Sequence, residues 1–399
     1  MKTLVIPLLC SCIVFSGYSQ DYKDITTTLS GLARARTAHE QDSLWNMLLN
    51  QKRIPLIVAD SVAFLYRGPA TSVSWIGDFN DWGYRKEINT KGSKLPHSDI
   101  WIFRTSFPKD ARLDYRILID GTNWILDPHN EFQQWSGVGG GSPNSELRMP
   151  EWKADPITTS ILEDARAGKV TKDKLFNSKT LGYQVTYSVY TPSGYSSSSS
   201  YPVIYVTDGY EYMHERLGNM VTILDNLIHL KKIEPVIAVF LDHREPVNRS
   251  NNRRMNELAL NQKYLSFMTD EFLPFIEKAY PISNSPARRA VIGSSMGGLS
   301  AAFFAFSKPE VFGLAGIQSP SFWFRPDIYK VCDNPENPPV KTFMTTGKIY
   351  DAEEGALKMK GILDKNTCKY QYMEVNQSHS WGNWRDTIDD ILIYFFPSS

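Results

Sequence analysis

Residues 289–301, RAVIGSSMGGLSA, decide which fold the second half of this chain can adopt. Residues 290–292 predict a short buried strand, and residues 299–306 predict a helix of small and apolar side chains. Between them, GSSMG at residues 293–297 fits the pattern G-x-S-x-G, which places a serine on a strained turn from strand to helix. The segment therefore predicts the nucleophile turn of an α/β-hydrolase, with Ser295 as the nucleophile.

The backbone near this turn predicts an oxyanion site. The N–H group of Met296 opens the helix after Ser295 and faces the position where negative charge would develop. A second donor is expected after the apolar strand at residues 201–208, which runs into Gly209 and Tyr210. We take the N–H of Tyr210 as this donor, with that of Gly209 as the alternative.

A nucleophilic serine needs a base, and in α/β-hydrolases the chain order is serine, acid, histidine. Of the seven histidines only His379 follows Ser295, and it comes directly after a predicted strand at residues 370–375. Since parallel strands deliver functional residues where they end, His379 is the predicted base.

The acid is expected between these two residues, after the predicted strand at residues 341–345. Asp351 is our prediction, with Glu353 as the main alternative and Glu354 as a further one. The next segment, residues 354–363, is predicted to be a helix, and carboxylates are also favourable in the first turn of a helix. At least one of the three carboxylates is expected to have that role instead.

Charge excludes some partner classes. The chain has 43 Lys and Arg residues and 43 Asp and Glu residues, so its formal net charge is zero and it has no basic excess for nucleic acid. Neither Cys332 nor Cys368 has metal-ligand spacing, so we expect no metal and no cofactor. Whether these two cysteines form a disulfide stays open.

The N-terminus predicts export. Residues 1–20, MKTLVIPLLCSCIVFSGYSQ, combine a lysine, an apolar run and small residues before a predicted cut after Ser19. The run is too short for a transmembrane helix. We expect a secreted or periplasmic protein, with lipid anchoring at Cys12 as a weaker alternative.

Composition divides the rest into four parts. Residues 20–55 are predicted to be helical, and residues 56–133 contain short strands separated by Gly, Pro, Asp and Asn turns, which predicts a small β-sandwich. The glycine-rich stretch in residues 134–156 predicts a flexible linker. From residue 157 to 399, strands alternate with helices, which is typical of a doubly wound α/β domain.

The predicted sandwich resembles carbohydrate-binding module family 48 and its early-set immunoglobulin-like relatives. The resemblance rests on VSWIGDFNDW at residues 73–82, DIW at 99–101, YRILIDG at 115–121, Trp124, and DP at 127–128. It implies that Trp124 occupies a sugar-stacking position. Trp124 could equally face the α/β domain, and we expect it, Phe132 and Trp135 to pack there.

Residues 157–396 resemble the esterases that include enterochelin esterases and carbohydrate esterase family 1. The carrying motifs are VYTPSGY at 189–195, DG at 208–209, Arg254 with Glu257, GSSMGG at 293–298, SPSFW at 319–323 and SHSW at 378–381. This implies an α/β fold with an α/β-hydrolase sheet preceded by an immunoglobulin-like sandwich. It also implies substrate contacts at Arg254, Glu257, Trp323 and Trp381, although Arg254 and Glu257 could instead form a structural ion pair.

These features predict a secreted serine carboxylic-ester hydrolase that removes feruloyl or acetyl groups from xylan-type polysaccharides or oligosaccharides. The alternative is an exported esterase for a siderophore trilactone, whose anionic iron complex Arg244, Arg249, Arg253 and Arg254 could bind. A non-catalytic carbohydrate-binding protein is a third hypothesis, against which the intact Ser295 and His379 argue. The oligomeric state stays open.

Overall fold

A computed structural model of the protein describes residues 25–51, 54–137, 141–336 and 338–398. The predicted signal peptide, with Cys12 and the cut after Ser19, lies outside these residues. Within the described ranges, no helix combines the length and apolar character needed to cross a membrane.

The strands, in chain order, are β1 Leu56–Val58, β2 Ser61–Arg67, β3 Val73–Gly77, β4 Ser93–Lys94, β5 Ile100–Ser106, β6 Arg112–Ile119, β7 Asn123–Ile125, β8 Gln133–Trp135, β9 Pro143–Arg148, β10 Lys169–Asn177, β11 Gln184–Thr191, β12 Val203–Val206, β13 Ile237–Asp242, β14 Arg289–Ser294, β15 Leu314–Gln318, β16 Lys341–Gly347 and β17 Tyr370–Val375. The α-helices are α1 Ile25–Arg34, α2 Ala38–Asn50, α3 Pro156–Thr159, α4 Gly209–Met213, α5 Met220–His229, α6 Arg254–Leu258, α7 Gln262–Ser266, α8 Leu273–Ala279, α9 Met296–Ser307, α10 Ile328–Cys332, α11 Glu353–Lys365, α12 Trp381–Arg385 and α13 Ile388–Phe395.

Two antiparallel sheets form before residue 150. One has the order β1-β2-β5-β4 and the other β3-β6-β9-β8, with β7 added beside β6. Aromatic side chains fill the space between the sheets, and the rings of Phe64 and Tyr115 lie 4.9 Å apart. Helices α1 and α2 cover the outer face of the first sheet through Leu29 and Trp45. The short strands predicted within residues 56–133 are confirmed, among them β2, β3, β5 and β6.

The prediction of a flexible linker at residues 134–156 is wrong. Strand β9 lies inside it and pairs with β6, with Leu147 opposite Leu113. Strand β8 reaches into it and pairs with β9. The prediction fails because composition alone cannot distinguish residues between two paired strands from a tether between domains.

The second half of the chain is an α/β structure on a mixed eight-stranded sheet. Its order is β10-β11-β13-β12-β14-β15-β16-β17; β10, β11 and β13 pair antiparallel and the remaining pairs are parallel. Two apolar clusters pack the helices against the sheet. Strand β10 forms one edge, and its register shifts between Thr171 and Lys174. Cys332 and Cys368 are free thiols.

The buried carboxyl group of Asp127 should make stability depend on pH. It accepts hydrogen bonds from the Tyr115 hydroxyl at 2.8 Å and the His129 N–H at 3.0 Å, and burial raises the pKa of Asp127 to about 6. This pKa is higher than the value of 3.8 expected in the unfolded chain, so protonated Asp127 stabilises the folded state. The stabilisation is complete below pH 3.8 and is lost as the pH rises through about 6.

The whole contribution of Asp127 is about 3 kcal/mol, at about 1.4 kcal/mol per pKa unit, and about 2 kcal/mol of it is lost between about pH 4 and about pH 6. The fall in the free energy of unfolding over this range should therefore be smaller in Asp127→Asn than in wild type by about 2 kcal/mol. Urea denaturation of both proteins across this range measures the difference. Parallel curves for wild type and variant would contradict a raised pKa at Asp127.

Candidate active site

Ser295 lies on the sharp turn between β14 and α9. Its backbone has φ 57° and ψ −118°, a conformation that costs energy in a residue with a side chain. The flanking glycines are required because a Cβ atom on Gly293 or Gly297 would lie 2.2 or 2.4 Å from the Thr207 hydroxyl oxygen. The sequence GSSMG thus produces the strand–turn–helix unit that the motif predicts.

A continuous chain of hydrogen bonds joins three of the predicted residues. Ser295 Oγ lies 2.9 Å from His379 Nε2, and His379 Nδ1 lies 2.7 Å from Asp351 Oδ1. The imidazole is 38% exposed, whereas the carboxyl group of Asp351 is fully buried. Glu353 and Glu354 lie in the first turn of α11. Of the three candidate carboxylates, Asp351 is the one that contacts the imidazole.

The second oxygen of Asp351 is held by groups that the sequence analysis missed. It accepts hydrogen bonds from Ser319 Oγ at 2.6 Å, from the Gly347 N–H at 2.6 Å and from Asn383 Nδ2 at 3.4 Å. Burial alone would raise the pKa of Asp351, but the attraction of His379 and these hydrogen bonds hold the pKa below its usual value. The carboxylate is therefore ionised and oriented toward the imidazole.

The two predicted oxyanion donors both lie at the start of a helix. Met296 is the first residue of α9, and Tyr210 is the second residue of α4. The first N–H groups of a helix have no acceptor within it, so both can serve a ligand. A further hydroxyl, Ser321 Oγ, lies 3.1 Å from Ser295 Oγ and was not predicted.

The two tryptophans that are predicted substrate contacts, Trp323 and Trp381, differ in their exposure. Trp323 follows the Ser321 loop and is 74% exposed, so it can meet a substrate. Trp381 is only 3% exposed and packs edge-on against Tyr212 and Trp384, so it offers little surface to a substrate, and the contact predicted there stays a prediction. The sequence carried no signal for which of these indoles turns inward.

The predicted docking of three aromatic side chains holds in part. Trp135 packs against the apolar cluster around Trp381 and is covered by Arg216. Trp124 is 44% exposed on β7, and Phe132 is 40% exposed. The expected burial of these last two against the α/β half is therefore wrong.

Arg254 and Glu257 do not form the ion pair that was offered as the alternative. Arg254 Nε donates to Asp208 at 2.7 Å, and its terminal nitrogen donates to the carbonyl of Ser294 at 3.3 Å. Glu257 is buried and bonds to His243 at 2.6 Å and Tyr183 at 2.7 Å. The oxygens of Glu257 are thus satisfied inside the protein, which favours a structural role, and the substrate contact predicted there stays a prediction.

A cavity of about 330 Å³ lies beside Tyr210 and is lined by residues from both halves of the chain. Trp135 and Gly137 come from the antiparallel region, while His214 and Arg216 come from the α/β region. In the described ranges, no group of three His, Cys, Asp or Glu side chains is arranged to hold a metal ion. The site thus offers a serine, an imidazole and N–H donors next to a space formed by both halves.

Comparison with known proteins agrees with this geometry. The chain is 27% identical to an iron(III) enterobactin esterase of Escherichia coli over 263 residues, covering 63% of this chain and 61% of that protein. It is 26% identical over 320 residues to an endo-1,4-beta-xylanase/feruloyl esterase of Xylanibacter ruminicola, covering 74% of this chain and 40% of that one. This chain thus spans less than two thirds of either relative.

Among solved structures, the enterobactin esterase of Shigella flexneri superposes with a TM-score of 0.67 at 19% identity. The match covers 84% of this chain and 92% of that one, so the two share a fold over both the antiparallel and the α/β regions. A family model described as "Putative esterase" matches residues 178–395, which is more than half of the chain and includes Ser295, Asp351 and His379. The chain belongs to this esterase family.

Proposed function

We propose that this esterase is a serine carboxylic-ester hydrolase in which Ser295 is the nucleophile, His379 the general base and Asp351 the orienting acid. The observation that carries the proposal is the unbroken hydrogen-bond chain from Ser295 Oγ through the imidazole to Asp351. An acid, a base and a nucleophile at these distances match the requirements of acyl transfer.

The reaction follows from this arrangement. Ser295 Oγ attacks the ester carbonyl carbon while His379 Nε2 accepts the hydroxyl proton, and Asp351 stabilises the resulting imidazolium. The N–H groups of Met296 and Tyr210 bind the oxyanion. His379 then donates its proton to the leaving alcohol, and water activated by the same imidazole releases the acid from Ser295.

For the substrate, we propose a feruloyl or acetyl ester on a xylan-type polysaccharide or oligosaccharide. Exposed Trp323 near the site suits an aryl or sugar ring. The four arginines considered for a strongly anionic ligand already bind carboxylates: Arg254 pairs with Asp208, Arg253 with Glu257, and both Arg244 and Arg249 with Asp242. The name of the Xylanibacter relative adds support for this substrate class.

The two antiparallel sheets fit the proposed carbohydrate-module-like domain, in which Trp124 on β7 offers an exposed ring for a sugar. Export by the predicted signal peptide would bring the enzyme to such a polymer.

The second candidate substrate is a siderophore trilactone. It is favoured by the likeness to enterobactin esterases, which extends over the antiparallel region as well as the α/β region. The cavity beside Tyr210, with His214 and Arg216 in its lining, could receive an aryl arm of such a ligand.

The deciding experiment compares kcat/KM for methyl ferulate, acetylated xylan and enterobactin, with Ser295→Ala as the blank. A preference of about 100-fold or more for one substrate assigns the class. Preference for enterobactin would overturn the polysaccharide proposal and leave the catalytic one intact. Turnover of all three that persists in Ser295→Ala would overturn the serine mechanism.

Asp351→Asn should lower kcat far more than Glu353→Gln does. An amide in place of the buried carboxylate can impose the wrong imidazole tautomer, a change that costs on the order of 10⁴-fold in a serine protease triad. Glu353→Gln is the matched control because it makes the same chemical change in the first turn of α11. A larger loss in Glu353→Gln would transfer the acid role to Glu353.

A further inference from the structure

Arg112 is a buried arginine that reaches from the antiparallel region to the loop that carries His379. Its backbone N–H donates to the carbonyl of Asn376 at 3.3 Å, and its guanidinium donates to Ser380 Oγ at 3.3 Å. A Cβ atom on Gly382 would lie 2.0 Å from the Arg112 guanidinium carbon, so the guanidinium rests on the backbone at Gly382. Arg112 thus contacts the loop on both sides of His379.

Two carboxylates of the second antiparallel sheet hold the guanidinium in place. Arg112 bonds to Asp114 at 2.8 Å and lies 3.4 Å from Glu146, and its side chain is fully buried. Burial alone would lower the pKa of Arg112, but the charges of Glu146 and Asp114 outweigh that effect and raise the pKa above its usual value. A planar guanidinium that stays charged and is held in this way can fix the position of the groups that it contacts.

Ser380 connects this arginine to the predicted triad. Its hydroxyl accepts a hydrogen bond from the Asn383 N–H at 3.5 Å at the start of α12. The side chain of Asn383 then donates to the carbonyl of Ser378 at 2.9 Å and to Asp351 at 3.4 Å. The residues before and after His379 are therefore held by one network that begins at Arg112.

We propose that Arg112 is a positioning residue for ester hydrolysis, which acts through Ser380 and the backbone of residues 376–382 to keep His379 aligned with Ser295. The proposal rests on the proposed roles of Ser295 and His379. It gives the antiparallel domain a part in the chemistry that is independent of any sugar contact.

The test uses the full chain with p-nitrophenyl acetate as substrate. Arg112→Met keeps the length of the side chain but removes the donors, and we expect kcat to fall about 10- to 100-fold because small displacements of a catalytic group have effects of this size. KM should stay within about twofold, since the binding surface for a small ester is unchanged. Arg112→Lys, which retains the charge, should recover part of kcat.

Arg67→Met is the matched control. Arg67 lies on the first antiparallel sheet and also binds two carboxylates, Asp42 at 2.7 Å and Asp99 at 2.8 Å. This variant should keep kcat within about twofold of wild type. An equal loss of kcat in Arg67→Met and Arg112→Met would overturn the proposal, because it would indicate general destabilisation of the domain.

Ser380→Ala tests the same contact without removing a buried charge, so it remains informative if Arg112→Met fails to fold. The double variant Arg112→Met/Ser380→Ala should lose little more kcat than the worse single variant, because both substitutions remove the same hydrogen bond. Additive losses, or a wild-type kcat in folded Ser380→Ala, would overturn the proposal. Retained activity in Ser295→Ala would instead overturn the proposed catalytic mechanism.

Discussion

Ser295→Ala is expected to lower kcat for ester hydrolysis by on the order of 10³-fold or more while the protein stays folded. The substitution removes the hydroxyl that lies 2.9 Å from His379 Nε2 and leaves the Met296 and Tyr210 N–H groups in place. The residual rate should therefore reflect only oxyanion binding and proximity. Hydrolysis of p-nitrophenyl acetate by both proteins, with circular dichroism as the folding check, measures the loss.

His379→Ala supplies the companion measurement. It should cost about as much as Ser295→Ala, and the double variant should cost little more than either, because the two side chains share one proton transfer. Losses that multiply in the double variant would place the two residues in separate steps. Activity of Ser295→Ala within about tenfold of wild type would move the nucleophile elsewhere.

Deletion of residues 25–149 is expected to lower kcat/KM for methyl ferulate by about 100-fold or more, because the deleted region contacts the two loops that carry Asp351 and His379. Ile349, two residues before Asp351, packs against the core between the antiparallel sheets, and Arg85 covers the ring of Tyr350 at 5.2 Å. Near the predicted base His379, Gln134 accepts a hydrogen bond at 2.8 Å from Arg385, the last residue of α12.

A tether that only concentrates the enzyme on a polymer would behave differently. Its removal would weaken binding to xylan and leave small-ester kinetics unchanged. The measurement compares the full chain with the chain that lacks residues 25–149, on methyl ferulate and in a xylan pull-down. Equal kcat/KM values, with weaker pull-down of the short form, would contradict the supporting role of the antiparallel region.

The sequence could predict the residues whose roles depend on local pattern and chain order. Ser295 is marked by its glycines, His379 by being the last histidine after a strand, and Asp351 by following β16. Local pattern is sufficient for these residues because the end of each parallel strand places the next few residues at the same edge of the sheet. The structure brings all three together, and their catalytic roles stay predictions.

The sequence could not predict contacts that join distant segments. Arg112 and Ser380 are 268 positions apart, and although Ser380 lies in the SHSW motif, no sequence pattern links it to Arg112. Glu257 and Trp381 have residue types that suit a substrate site, yet both are buried, because their orientation is decided by tertiary packing. For the same reason, residues 134–156 were predicted to be a linker although strand β9 lies among them and pairs with β6.

The edge strand β10 bears on how this protein behaves at high concentration. A chain with zero net charge has little long-range repulsion between its copies, and an open sheet edge can recruit another strand. Lys172, Asp173 and Lys174 are exposed at the point where the register of β10 shifts, so charge and a local twist interrupt the edge. Sheet-to-sheet aggregation through this edge is thereby disfavoured without any contribution from colloidal repulsion.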